Sequence, residues 1–97
     1  MIRHIALFRF SNEVTPADVI ELDAALARIP ALVPNVTSFD SGADVGVTDG
    51  AWDYAVVAEF ASAADYAAYA THPDHVAIVE RVVKPKITDA ARIQFEV

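Results

Sequence analysis

An α+β domain, with one antiparallel four-stranded sheet and helices on one of its faces, is the architecture this sequence predicts. Three observations carry it. Stretches of apolar and polar residues marked off by turn signals read as strands at residues 3–10, 36–46, 53–60 and 89–97. Two capping signatures, Thr15-Pro16-Ala17-Asp18 and Ser62-Ala63-Ala64-Asp65, open helices between them. No repeat, linker or low-complexity tract divides the 97 residues, so they read as a single domain, 1–97.

The first strand puts Arg3, Ile5, Leu7 and Arg9 on one face and His4, Ala6, Phe8 and Phe10 on the other. Both faces are partly apolar, and both are expected to be covered. Ser11-Asn12-Glu13 is a polar connection. Thr15 then caps a helix, Pro16 occupies the position where no amide partner is needed, and Asp18 returns a hydrogen bond. Val19, Leu22, Leu26 and Ile29 form the apolar stripe of this helix, and Pro30 and Pro34 are expected to end it.

The second strand is anchored by Phe39 and made irregular by Gly42 and Gly46, with Thr48-Asp49-Gly50 as a turn. The third alternates Tyr54, Val56, Ala58 and Phe60 against Asp53, Ala55, Val57 and Glu59. An alanine-rich helix runs from the Ser62 cap to about Ala70. A proline-initiated helix begins near Pro73, carries Val76, Val79, Val82 and Val83, and stops at Pro85. The last strand alternates Ile93, Phe95 and Val97 with Arg92, Gln94 and Glu96.

The order β-α-β-β-α-α-β fits a ferredoxin-like, split β-α-β arrangement. Strands one and three are then antiparallel neighbours, which sets Arg3 near Glu59 and Arg9 near Asp53, with Ile5, Leu7, Ala55 and Val57 between them. An apolar middle with charged ends has the anatomy of a subunit interface. The other reading, a solvated sheet surface, leaves Leu7 and Val57 uncovered. Composition favours the interface: 55% of the residues are apolar, against a usual ~45–50%. Alanine supplies 19 of those 53 residues, and the other 34 are many for a small monomer. A homodimer through this sheet face is expected.

Charge and missing residue types exclude other classes. Fourteen acidic against seven basic residues give a net charge of −7, a poor match for nucleic acid or an anionic membrane surface. Zero cysteines exclude disulfide scaffolds, thiolate metal sites and cysteine nucleophiles. No apolar run approaches the ~20 residues of a membrane span. Met1-Ile2-Arg3-His4-Ile5 lacks a signal peptide's apolar region, so a soluble cytoplasmic protein is expected.

The dense polar constellation is Tyr66-Ala67-Ala68-Tyr69-Ala70-Thr71-His72-Pro73-Asp74-His75-Val76. Thr71 or His72 occupies the helix cap and His75 falls in the first turn. A helix N-terminus disfavours imidazolium, so His75 is expected neutral and suited to act as a general base. A nearby tyrosine can hydrogen-bond a carbonyl or enolate oxygen as charge develops. Together they suit proton abstraction beside a carbonyl, with aldol closure or enol tautomerisation following. Each residue also has a plainer reading: His72 as a cap, Tyr66 and Tyr69 as core, His4 as a satisfied core histidine rather than a cavity-lining donor. His72 and His75 could be two metal ligands, but Asp74 and Glu80 complete no facial set, and no P-loop, G-x-G-x-x-G or G-x-S-x-G is present. Neither a metal nor a cofactor is expected.

At His72-Pro73-Asp74-His75-Val76, with His4-Ile5-Ala6-Leu7-Phe8-Arg9-Phe10 at the start and Ile93-Gln94-Phe95-Glu96-Val97 at the end, the sequence resembles the stress-responsive dimeric α/β-barrel (Dabb) family over essentially its whole length. The resemblance implies a ferredoxin-like protomer whose sheet packs against a partner's, with a cavity between sheet and helices. At the motif it is similar to cofactor-free polyketide cyclases, which close a linear poly-β-keto thioester by aldol condensation. That implies His75 as base, Tyr69 as its assistant and His4 on the cavity wall. Tyr54 stands where such a cyclase has a histidine, and Val56 keeps its cavity-lining aliphatic residue. Phe8 and His72 complete the expected binding set, for a small hydrophobic or polyketide-like ligand. The first reading is a stress-responsive dimer that binds a small molecule or acts structurally, in which the same residues only pack; the alternative is a cofactor-free enzyme of cyclase or isomerase type with His75 as general base.

Overall fold

The third strand shows how local pattern becomes tertiary position. In the computed structural model, which describes residues 1–97, β3 spans Tyr54–Phe60 and alternates between buried and half-buried residues along its whole length. Tyr54, Val56, Ala58 and Phe60 point into the core, as their spacing requires. Strand β1 (Ile2–Phe10) lies antiparallel beside it, with Arg3 opposite Glu59 and Leu7 opposite Ala55. Strand β2 (Ser38–Ala43) pairs with the other edge of β3, and β4 (Ile87–Glu96) with the far edge of β1. The order β2-β3-β1-β4, antiparallel throughout, is the expected ferredoxin-like α+β fold.

The helices begin where their caps dictate. Helix α1 covers Pro16–Ala27: the Thr15 hydroxyl accepts from the Asp18 amide at 3.3 Å, and the Asp18 carboxylate accepts from the Thr15 amide at 2.9 Å. Helix α3 (Ala63–Thr71) starts on the Ser62 hydroxyl, which accepts from the Asp65 amide. Leu22 and Leu26 of α1, Ile29 and Val33 after it, and Tyr69 of α3 close over Val56, Ala58 and Phe60 to form the core.

Three boundaries differ from expectation, each for a backbone reason. Pro30 does not end the first helix. Helix α1 stops at Ala27, and Pro30 sits in the first turn of a separate short helix α2 (Ile29–Leu32), where its missing amide removes no bond. Strand β2 ends at Ala43 rather than near Gly46. Asp44 accepts the Gly46 amide at 3.1 Å, and Gly46 takes a φ of 79°, a turn conformation incompatible with a strand. The helix begun at Pro73 does not run evenly to Pro85. Helix α4 covers Pro73–Ile78, followed by a π-helical turn, Val79–Val83, and a 3-10 turn, Lys84–Lys86. Pro85 has no amide to donate backward, and the Lys86 ammonium instead donates to the Val82 carbonyl at 3.1 Å while pairing with Glu21.

All helices lie on one sheet face. On the other, Ile5, Leu7, Ala55 and Val57 are half-buried, while Ile93 and Phe95 beside them remain 58% and 40% exposed. The Arg3–Glu59 pair forms at 2.9 Å. At the opposite end no Arg9–Asp53 pair forms: Asp53 accepts the Phe10 amide at 2.8 Å, and the Arg9 guanidinium lies 4.5 Å from the centre of the Trp52 ring. No helix is long and apolar enough to cross a membrane.

Candidate functional site

The junction between α3 and α4 builds the site. A residue before proline is held out of helical conformation, and His72 is extended, with φ −64° and ψ 132°. Its Nδ1 accepts the Asp74 amide at 3.1 Å, so His72 is the N-cap of α4. His75 follows in the first turn, and its ring turns back toward α3. There the Ala70 carbonyl, which can only accept, lies 3.2 Å from Nδ1. The hydrogen therefore sits on Nδ1. Burial lowers the His75 pKa below 6.5, more strongly than the Ala70 bond raises it, with smaller downward contributions from His4 and His72. The ring is neutral at pH 7 and Nε2 carries a free lone pair. Neutrality was expected from the helix terminus; burial is its main cause.

Tyr69 packs on this imidazole, with ring centres 4.1 Å apart. Its residue is buried, and desolvation pushes its phenol pKa far up, so the hydroxyl stays protonated and able to donate. Across from the pair, His4 projects from β1, its ring centre 6.1 Å from that of Tyr69. Gln94 Oε1 accepts from His4 Nδ1 at 2.7 Å, which again leaves Nε2 as the free nitrogen. Burial lowers the His4 pKa, the Gln94 bond opposes this, and the Arg92 charge adds to it.

These groups surround a cavity of about 200 Å³ between sheet and helices, room for a molecule rather than for one ~30 Å³ water. Phe8 and Val56 form its sheet wall, and Val79 and Val83 of the π-helical turn close the helix side. His4, Tyr69 and His75 line it, and the Tyr69 hydroxyl and the two histidine Nε2 atoms have no hydrogen-bond partner in the chain. No fully buried polar side-chain atom is left unpaired, so all three atoms keep some accessible surface.

The structure thus gathers five of the residues singled out from the sequence: His4, Phe8, Val56, Tyr69 and His75. Two stand apart. His72 is the cap described above. Tyr54 donates to Asp23 at 2.6 Å, which ties α1 to the sheet, while the Ser41 hydroxyl donates to the phenol oxygen at 3.3 Å; burial with the Asp23 bond pushes its phenol up to about 12. No third side chain joins His72 and His75 in a group able to hold a metal. Gln94, Arg92 and Lys84 were not foreseen. The alternation of the last strand put Arg92 and Gln94 on one side, but no short turn links β4 to β1, and the register that brings Gln94 to His4 was open.

A ferredoxin-like α+β domain, with helices on one sheet face and a His–Tyr-lined cavity beneath them, is the class of protein that fold and site define. Residues 2–97 match the family model of the stress responsive A/B barrel domain, and the chain belongs to that family. It is 40% identical to a dimeric ferredoxin-like protein of unknown function from Thermobifida fusca, with a TM-score of 0.91 over 99% of this chain and 90% of that one. A Dabb family protein from Mesorhizobium loti shares the fold at 24% identity, with a TM-score of 0.82 over 99% and 95% of the two chains. The hydroxynitrile lyase of Passiflora edulis shares it at 16% identity, with a TM-score of 0.86 over 99% and 92%. Comparison with curated proteins gives no match.

Proposed function

We propose that the cavity binds a small enolisable carbonyl compound, that His75 is the general base acting on it, and that no cofactor takes part. The carrying observation is the free Nε2 of a neutral, half-buried His75 beside an unpartnered Tyr69 hydroxyl, the two residues lining one largely apolar cavity. Nε2 takes the proton from the carbon next to the carbonyl, and the C–H electron pair becomes the enolate. The Tyr69 hydroxyl donates to the enolate oxygen as its charge grows. Attack of the enolate carbon on a second carbonyl of the same molecule closes a ring; reprotonation at another atom gives an isomer. The resemblance to the plant enzyme olivetolic acid cyclase at His72-Pro73-Asp74-His75-Val76 supports the cyclase-type outcome.

A homodimer through the uncovered sheet face belongs to the same proposal. The Thermobifida fusca relative is dimeric, and this chain's apolar strip and exposed Ile93 and Phe95 lie on one sheet face. The test of the chemistry is solvent-deuterium exchange at the α-carbon of a panel of enolisable ketones and poly-β-keto thioesters, followed by NMR. His75→Ala is expected to reduce any exchange to the buffer rate while the far-ultraviolet spectrum stays unchanged. Undiminished exchange would remove His75 from the role and leave a binding dimer.

A further inference from the structure

The lining of the cavity has a charge bias opposite to that of the chain. Acidic residues outnumber basic ones fourteen to seven, yet Lys84 and Arg92 line the cavity and no aspartate or glutamate does. The two cations are not equivalent. The Lys84 ammonium is 2.7 Å from Glu80, which meets much of its charge. Arg92 has no ion pair and no side-chain hydrogen bond within the chain.

Position adds to charge. Arg92 lies opposite Ala6 on the sheet face that carries His4 and Gln94, and it is two residues along β4 from Gln94. At ~3.3 Å per residue that is about 7 Å from the backbone position of the side chain that holds His4. Its charge reaches far enough inward to depress the His4 pKa. A guanidinium presents planar paired donors that match a carboxylate or phosphate edge. The cavity is therefore largely apolar in its lining, carries Tyr69 and two neutral imidazoles, and has an uncompensated arginine on the β4 side, one sheet position from His4.

We propose that Arg92 is a specificity-determining residue, and that the ligand is a small molecule with an apolar body and a terminal anion that Arg92 grips. This rests on the reading of the cavity as a ligand site. The anion has two chemical sources: the carboxylate of a free acid, or a phosphate of a carrier thioester.

Hexanoate and its neutral counterpart hexanamide separate charge from shape, and hexanoyl-coenzyme A carries phosphates without a free carboxylate. Binding is read from the shifts of the His4 and His75 imidazole signals in the full chain. Hexanoate is expected to bind about tenfold more tightly than hexanamide, as one charge-assisted contact supplies. Arg92→Gln, at an exposed position outside the core, should erase that difference and leave hexanamide unchanged. An Arg92-dependent gain for hexanoate assigns a carboxylate; one confined to hexanoyl-coenzyme A assigns a phosphate. Equal binding of hexanoate and hexanamide, with no Arg92-dependent gain for the coenzyme A ester, overturns the anion while the histidine shifts preserve the ligand site. A preference that survives Arg92→Gln overturns the role of Arg92. If no probe moves either histidine, the ligand site falls as well.

Discussion

His75 acquires its tautomer from a main-chain carbonyl, and no carboxylate stands behind it to stabilise an imidazolium. Such a base is neutral over a wide pH range but gains little when it takes up a proton, so its chemistry suits transient abstraction. Burial sets both histidines below 6.5, and the sign of the pH dependence follows. The unfolded chain binds protons near 6.5, before the folded one does. The stability linked to His4 and His75 is therefore complete above that pH and is lost as pH falls toward their lowered values. Imidazole titrations are expected to show both midpoints below 6.5, and any exchange activity should reach half its plateau only below pH 6.5. Tyr69→Phe separates the hydroxyl from the ring. It retains the packing on His75 and removes only the unpartnered donor, so Tm should hold while exchange falls about a hundred- to a thousandfold. A parallel fall in Tm and activity would make the hydroxyl structural.

The elements divide by how local their causes are. The cap at Thr15 needs only four consecutive residues, and it is present as read. Thr15→Ala should cost about 1 kcal/mol in urea unfolding, with the midpoint lowered and the slope unchanged; no change would mean that α1 is held by packing alone. The β3 pattern is local in the same way, because a period of two already chooses the face that carries Tyr54, Val56, Ala58 and Phe60. The α1–α2 break after Ala27 and the π-helical turn at Val79–Val83 were not readable, since a proline fits either the end of one helix or the first turn of the next. The site divides likewise. His72 as cap and His75 in the first turn follow from the local motif. The place of Gln94, Arg92 and Tyr54 depends on pairing and packing partners 31 to 90 residues away, such as Asp23 and His4, which no local pattern specifies.

The whole chain carries more surface than its mass calls for. It exposes 5816 Å², where a folded monomer of 10.4 kDa shows roughly 5,400 Å². Part of the apolar surface forms a contiguous strip. Arg3, Ile5, Leu7 and Arg9 of β1, Ala55, Val57 and Glu59 of β3, and Ile93 and Phe95 of β4 share the sheet face that no helix covers. Sheet packed on sheet would bury the aliphatic strip and leave Arg3–Glu59 at the rim, where an exposed ion pair costs little to keep. Val57→Asp places a charge in the middle of that strip, pointing away from the core. In solution the unaltered chain should scatter with twice its 10.4 kDa mass. The variant should scatter as a monomer, with its far-ultraviolet spectrum intact and its histidine signals still shifted by cavity ligands. A variant that remains a dimer would move the interface elsewhere. One that loses the cavity with the dimer would show that the partner's sheet is needed to hold β1, and with it His4, in place.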